Sequence, residues 1–190
     1  MVREATHEKG KRRPPKPLDA ARLEDLALHY VARFATSGAK LESYLVRKLR
    51  ERGWDGERPA DPAAIAARFA ELGYIDDEAY ARARAGGLLR RGYGARRVEQ
   101  DLRGAGIAED LRAHVGPGEH ARRAAAFALA RKRRFGPFAS EPPDRERREK
   151  QIAAMIRAGH GFDEARAVLD APSADEAERW VAEASVDEEQ

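Results

Sequence analysis

The side chains that most often carry out chemistry in proteins are scarce or scattered in this sequence. It has no cysteine, which excludes a thiol nucleophile and any zinc or iron–sulfur site with thiolate ligands. No serine lies in a nucleophile-elbow motif, and no phosphate-binding glycine loop is present. No two of the five histidines stand four residues apart, as a helical metal-binding pair requires: His7, His29, His114, His120 and His160. The sequence therefore predicts a protein that is not an enzyme and needs no metal or cofactor.

Three successive acids, Asp76, Asp77 and Glu78, are the closest approach to a metal-binding cluster. Acidic residues are also favoured in the first turn of a helix, because the helix dipole is positive there. An alanine-rich and arginine-rich segment with helical spacing follows them. We interpret the three acids as the start of a helix.

Arginine is the side chain that this sequence concentrates. Arg90-Arg91 and Arg96-Arg97 bracket the turn Gly92-Tyr93-Gly94, and a second run covers Arg131-Lys132-Arg133-Arg134. Guanidinium groups beside an aromatic ring suit a nucleic acid backbone or an acidic protein surface. The candidate contact residues are Arg82, Arg84, Arg90, Arg91, Tyr93, Arg96, Arg97, Arg103, Arg122, Arg123, Arg131, Lys132, Arg133 and Arg134.

Two plainer interpretations of these residues stay open. The arginines could form a solvated charged face, and some of them complement the carboxyl end of a helix. The turn could be structural, with Gly92 ending one helix, Gly94 freeing the start of the next and Tyr93 packing into the corner. If the arginines are contact sites, two basic strips separated along the molecule are expected.

Composition favours helices with small cores. Of the 190 residues 38 are alanine, the best helix former, and only 33 are leucine, isoleucine, valine or phenylalanine. The 36 lysines and arginines nearly balance the 33 acids, although residues 82–134 hold fourteen basic and five acidic side chains. The longest apolar run has seven residues, far below the length of a membrane span, so a cytoplasmic protein is expected.

Glycines repeat at a fixed interval along the chain. Gly53, Gly106 and Gly159 each follow an apolar residue by four positions, and successive members are 53 residues apart. A period of this length is typical of a repeat array. We predict an all-α fold: an elongated, curved tandem array of three three-helix repeats. The predicted segments are a disordered basic tail at 1–18, repeats at 19–74, 75–116 and 117–171, and an acidic helix or tail at 172–190.

Two segments carry a resemblance to a known family. They are Gly73-Tyr74-Ile75-Asp76-Asp77-Glu78-Ala79-Tyr80 and Leu89-Arg90-Arg91-Gly92-Tyr93-Gly94-Ala95-Arg96-Arg97-Val98, which Leu102 and Gly106-Ile107 follow. In combination they resemble the RecX family of bacterial regulators of the recombinase RecA, and the resemblance runs from Leu23 to Leu169. The basic, proline-rich start and the acidic end depart from a typical member. We expect the start to add DNA affinity and the acidic end to moderate the basic middle.

The resemblance implies tandem three-helix repeats and a modulator rather than an enzyme. Members of the family bind RecA filaments, block filament growth or promote disassembly, and so lower ATP hydrolysis, strand exchange and coprotease activity in recombination and the SOS response. The implied partners are the RecA filament and, through the basic surface, single- and double-stranded DNA, with the protein a monomer. The alternative is a stand-alone DNA-binding helical protein that lacks sequence specificity, because the chain contains no asparagine for base readout.

Overall fold

The computed structural model describes residues 16–187, and this part of the chain contains ten α-helices, one short 3-10 turn and no β-strand. The predicted all-α fold class is confirmed. No helix within these residues has both the length and the apolar character needed to cross a bilayer. The bounds are α1 Ala20–Arg33, α2 Gly38–Arg52, α3 Pro62–Glu71, α4 Asp77–Arg90, α5 Ala95–Gly104, α6 Glu109–His114, α7 Glu119–Arg133, the 3-10 turn Gly136–Phe138, α8 Arg145–Arg157, α9 Phe162–Leu169 and α10 Ala174–Asp187.

The helices form three groups of three, each around its own core. Helices α1–α3 (the first unit) bury one cluster, α4–α6 (the second unit) a second, and α7–α9 (the third unit) a third that also includes α10. Alanines supply part of each core, for example Ala27, Ala81 and Ala126, so the helices approach closely. Extensive helix contacts occur within a unit or between neighbouring units, as between α4 and α7. This is an array of helical repeats; the exact division at residues 74, 116 and 171 stays a prediction.

Side-chain caps explain where the helices begin. An oxygen of Asp19 accepts from the backbone N–H of Arg22 at 2.9 Å, and Asp61 caps α3 in the same way, with proline at the first helical position. The Asp76 carboxylate accepts from the backbone N–H of Ala79 at 2.8 Å, which confirms that the three acids mark a helix start. No group of three metal-ligating side chains occurs within residues 16–187.

The repeated glycines end equivalent helices. Gly53, Gly106 and Gly159 follow the second helix of each unit with φ of 80°, 72° and 98°, in the left-handed region that favours glycine. After two of these glycines, the next residue donates a backbone hydrogen bond that ends the helix. The N–H of Ile107 donates to the carbonyl of Leu102, and the N–H of His160 donates to the carbonyl of Met155. The 53-residue spacing therefore reflects the same turn in three successive units.

The first joint between units forms where the start of α2 meets the turn after α5. The Ser37 hydroxyl accepts from the backbone N–H of Lys40, which caps α2, and donates to the carbonyl of Ala105 at 2.6 Å. From the second unit, the Asp77 carboxylate accepts from the backbone N–H of Gly38 at 2.9 Å. Both bonds satisfy helix-terminal groups and tie the first unit to the second.

The second joint repeats this arrangement one unit later. The backbone N–H groups of Gly94 and Arg96, at the start of α5, donate to the carbonyls of Ala158 and Gly159 at 3.0 and 3.1 Å. The buried imidazole of His160 donates from Nε2 to the carbonyl of Gly92 at 3.0 Å. Three hydrogen bonds between two turns therefore fix the second unit against the third.

A further segment packs on each end of the array, Leu18 on the first unit and α10 on the third. Leu18 is fully buried and exchanges backbone hydrogen bonds with Gly53 and Asp55, at the turn that in later units contacts the preceding unit. The predicted tail at 1–18 is therefore wrong at Leu18, because a buried leucine anchors the chain; residues 1–15 lie outside the described residues. At the other end α10 packs along α7, where the Arg123 guanidinium lies 5.0 Å from the centre of the Trp180 ring.

We expect Gly94→Ala to destabilise the protein by about 1–3 kcal/mol, because the added methyl group has no space. A Cβ at Gly94 would lie 2.3 Å from the carbonyl carbon of Gly159. Gly87→Ala is the matched control. That glycine lies inside α4, and apart from its own helix backbone no atom lies within 4 Å of a Cβ built on it, so alanine there should raise the free energy of unfolding by about 0.5–1 kcal/mol. Urea unfolding measures both values. A Gly94→Ala protein as stable as wild type would contradict the close contact.

The second joint should also weaken at low pH. Burial lowers the pKa of His160 from its ordinary 6.5, a shift that the bond to Gly92 and the charge of Glu164 only partly oppose. His160 Nδ1 is buried without a partner, so a proton there is poorly accommodated in the folded state. The unfolded state therefore binds a proton first as the pH falls through 6.5, and the free energy of unfolding decreases.

His160→Gln should remove this part of the pH dependence. Urea unfolding of the variant and of the wild type between pH 8 and pH 5 isolates the contribution of His160, since the other histidines and the carboxylates are common to both. The wild type should lose more stability than the variant over this range. Equal losses would show that protonation of His160 does not oppose folding.

Candidate functional site

The turn Gly92-Tyr93-Gly94 brings the two basic runs to the same joint. The backbone of Gly92 lies against α7, and a Cβ built on it would be 3.0 Å from the backbone nitrogen of Leu129. Arg91 precedes Gly92, and Arg131 follows Leu129 by two residues, so the carboxyl ends of α4 and α7 meet here. Packing of α4 on α7 brings the backbones of two runs that are about 40 residues apart in the sequence to the same joint. The expectation of two separated basic strips stays a prediction.

Two details of this turn differ from the sequence interpretation. Gly94 has φ −82°, which any residue adopts, so it is glycine because the Gly159 carbonyl lies against it and not because it frees the backbone. Tyr93 does not pack into the corner: its side chain is 38% exposed, with the Arg91 guanidinium 5.7 Å from the ring centre. Gly92, with φ 86°, does end α4 as expected. An exposed ring therefore lies among arginines.

Five of the fourteen candidate side chains pair with carboxylates. Arg84 makes two hydrogen bonds to Asp101, at 2.6 and 3.0 Å, which lower the pKa of that carboxyl below its ordinary range. A partner neutralises much of the field that a cation presents to a ligand. The other pairs are Arg82 with Glu78 at 2.6 Å, Arg103 with Glu99 at 3.2 Å, Arg122 with Glu164 at 3.1 Å, and Arg123 with Glu119 and, at 3.9 Å, with Glu183.

The other eight cations make no ion pair with any carboxylate within residues 16–187. All eight are exposed, and Arg97 and Arg91 donate only to neutral groups, the amide of Gln100 and the carbonyl of Gly87. Exposed cations without counter-charges produce a strong local positive potential. We call this set the free basic cluster: Arg90, Arg91, Arg96, Arg97, Arg131, Lys132, Arg133 and Arg134.

Arg134 adopts a backbone conformation that is unfavourable for an arginine. It ends α7 with φ 55° and ψ 48°, the left-handed conformation in which helices usually place glycine. Within residues 16–187 it is the one residue other than glycine with positive φ. An arginine in this conformation is about 1 kcal/mol less favourable than glycine. Backbone strain of this kind occurs most often at functional sites.

Sequence reasoning missed the residues that hold the joints. His160 was assigned no role, although it occupies the position that follows the repeated glycine, where the first two units have the apolar residues Trp54 and Ile107. A histidine at a position where the other two units have apolar residues was the sequence signal that could have identified it. Asp77 was recognised as a helix-start residue, but its bond to Gly38 joins residues 39 positions apart and leaves no trace in local sequence.

Known proteins are similar to this chain in sequence and in fold. A family model described as "RecX, second three-helix domain" matches residues 76–115. The chain is 36% identical over 172 residues to "Regulatory protein RecX" from Myxococcus xanthus, covering 86% of this chain and 91% of that protein. It is 30% identical over 162 residues to the protein of the same name from Agrobacterium fabrum, covering 83% and 86%.

Solved structures agree in fold. A RecX crystal structure from Lactobacillus salivarius superposes with a TM-score of 0.62 at 16% identity, covering 85% of this chain and 96% of that one. A second, titled "Crystal structure of regulatory protein RecX", gives 0.58 at 23% identity and covers 78% and 70%. Similar helices in similar order therefore underlie the sequence similarity. Because more than a third of the aligned residues are identical to the Myxococcus protein over most of both lengths, the chain belongs to the RecX family.

Proposed function

We propose that this protein is a negative modulator of the RecA recombinase. It binds RecA filaments on DNA as a monomer in the cytoplasm and limits filament growth, ATP hydrolysis, strand exchange and coprotease function in recombination and the SOS response. Its relatives are named as regulatory proteins, and membership of the RecX family supports the regulatory role. The free basic cluster is the single observation that supports a contact role at the second joint.

Binding through this cluster follows from its charge and its position. Eight exposed cations lie at the ends of α4 and α7 and the start of α5, and the hydrogen bonds of the second joint hold the start of α5 against the third unit. We expect these cations to form one positive surface. Such a surface attracts acidic protein patches or DNA phosphates. The remaining units extend along the array, so one molecule can contact more than one filament subunit. The affinity should fall steeply as salt rises, because exposed charge contacts are screened.

A plain DNA-binding role is the second candidate. The same eight cations could neutralise phosphates with no recombinase present, and the sequence contains no asparagine for adenine readout. ATP hydrolysis by preformed RecA filaments on excess single-stranded DNA separates the two roles. Inhibition well below one copy per RecA supports filament regulation. Inhibition only at concentrations that coat the DNA supports the plain DNA-binding role.

Reversing two charges of the cluster should weaken inhibition in this assay. We expect Arg96→Glu with Arg97→Glu to raise the concentration for half inhibition about tenfold, which corresponds to about 1.4 kcal/mol of lost binding. The matched control is Arg50→Glu with Arg58→Glu, which changes the net charge equally at two exposed arginines of the first unit that make no ion pair within residues 16–187. Full inhibition by the folded cluster variant would refute the contact assignment.

Arg134→Gly should separate stability from function. Glycine relieves the left-handed backbone, so we expect the free energy of unfolding to rise by about 0.5–1 kcal/mol. Removal of one cation from the cluster should lower the potency of inhibition severalfold at the same time. Urea unfolding and the ATP hydrolysis assay measure the two effects. A variant that is more stable and equally potent would exclude Arg134 from the contact surface.

A further inference from the structure

A second surface, outside the free basic cluster, lies at the first joint. A cleft of about 630 Å³ opens between the end of α1, the turn before α4 and the first turns of α4. Three aromatic rings line it, those of Phe34, Tyr74 and Tyr80. Phe34 and Tyr74 are 54% and 55% exposed, unusually open for residues of this size. We call this the aromatic cleft. Its volume falls in the range of small-ligand sites.

Other aromatic rings support the two most exposed ones. Phe34 lies 5.4 Å from Tyr30, which in turn stacks on Tyr44 at 4.3 Å. Tyr74 lies 5.4 Å from the buried ring of Phe69. Each exposed ring is therefore held from one side while more than half of its surface stays open. Rings fixed in this way can stack on a flat ligand at little entropic cost.

A cationic wall continues from the aromatic cleft. A smaller adjoining cleft of about 330 Å³ shares Lys40 and Arg84 with it and extends to Arg97. Asp101 is the carboxylate in this wall; its hydrogen bond from Arg84, with the charges of Lys40 and Arg97, lowers its pKa, so it stays ionised. Three cations around one carboxylate leave an excess of positive charge. Lys40 also lies 5.6 Å from the centre of the Tyr80 ring.

The cationic wall leads from the aromatic cleft toward the free basic cluster, because Arg97 belongs to both. The carboxylate that lines the aromatic cleft itself, Asp76, is engaged in capping α4. A ligand that fits both clefts therefore combines flat rings with a chain of negative charges. A single-stranded nucleic acid has this chemistry, since every base offers a face for stacking and every link carries a phosphate.

We propose that the aromatic cleft binds unpaired bases of a single-stranded nucleic acid, stacked on Phe34 and Tyr74, with the connecting phosphates along Lys40 and Arg97. An acidic peptide with aromatic side chains is the other ligand of similar character. Base stacking is favoured because it uses open ring faces and tolerates any sequence, and because the adjoining cations Lys40, Arg84 and Arg97 suit a chain of phosphates. The proposal does not depend on the recombinase.

The test compares two fluorescently labelled strands, a twelve-residue oligothymidylate and a twelve-unit abasic strand with the same phosphates and no bases. Fluorescence anisotropy gives both affinities without RecA. We expect the wild type to bind the oligothymidylate at least fivefold more tightly, because stacking of one base contributes about that factor. Phe34→Leu with Tyr74→Leu should abolish this preference and leave the affinity for the abasic strand unchanged.

Phe162→Leu is the matched control. Phe162 is 53% exposed, with the Arg166 guanidinium 5.8 Å from its ring centre, but it lies in the third unit and lines neither of the two clefts. This variant should keep the wild-type preference. Leucine preserves apolar packing, so circular dichroism and urea unfolding can establish that the double variant is folded.

Three results would overturn the proposal. They are equal binding of the two strands by the wild type, a preference retained by the folded double variant, and a preference lost in Phe162→Leu. Inhibition of RecA by the double variant is measured separately. If inhibition is lost while the preference for bases is retained, the aromatic cleft holds a protein segment and the nucleic acid proposal fails.

Discussion

Direct contact between backbones at the joints is the constraint on which the rest of this structure depends. Each unit has a thin core with many alanines, and neighbouring units meet turn against turn. At the second joint Gly94 lies against Gly159, with no room for a side chain between them. Hydrogen bonds replace apolar burial there, including the one from His160 to Gly92. The contact also sets the position of Arg96 and Arg97, which begin α5 directly after Gly94.

The same contact gives the basic surface its shape. Gly92, two residues before Gly94, lies against Leu129 and holds the carboxyl ends of α4 and α7 together, which places the backbones of the two basic runs at the same joint. Elsewhere in the second and third units, carboxylates pair with neighbouring arginines, as Asp101 does with Arg84. The paired arginines are therefore not part of the free basic cluster. The described acids of α10 contact Arg123 and Arg179 but leave the cluster unpaired. The distribution of acids therefore defines the surface as much as the arginines do.

The two joints are alike in construction and different in chemistry. Both place the start of a second helix against the turn after the next unit's second helix. The first joint opens into a cleft with exposed aromatic rings, whereas the second presents the free basic cluster. Arg97 belongs to the free basic cluster and also lines the smaller cleft that adjoins the aromatic cleft, so it connects the two surfaces. One repeat architecture thus presents two surfaces of different chemical character.

The sequence by itself determined the helices, because caps and helix-ending glycines act over a few residues: Asp19, Asp61 and Asp76 start helices, and Gly53, Gly106 and Gly159 follow their ends. It also identified the arginines as candidates for contact. Only the tertiary structure decided which of them remain unpaired, since an ion pair such as Arg84 with Asp101 joins residues 17 positions apart. The role of His160, the burial of Leu18 and the approach of α4 to α7 likewise arise from packing between distant segments, which local sequence does not encode.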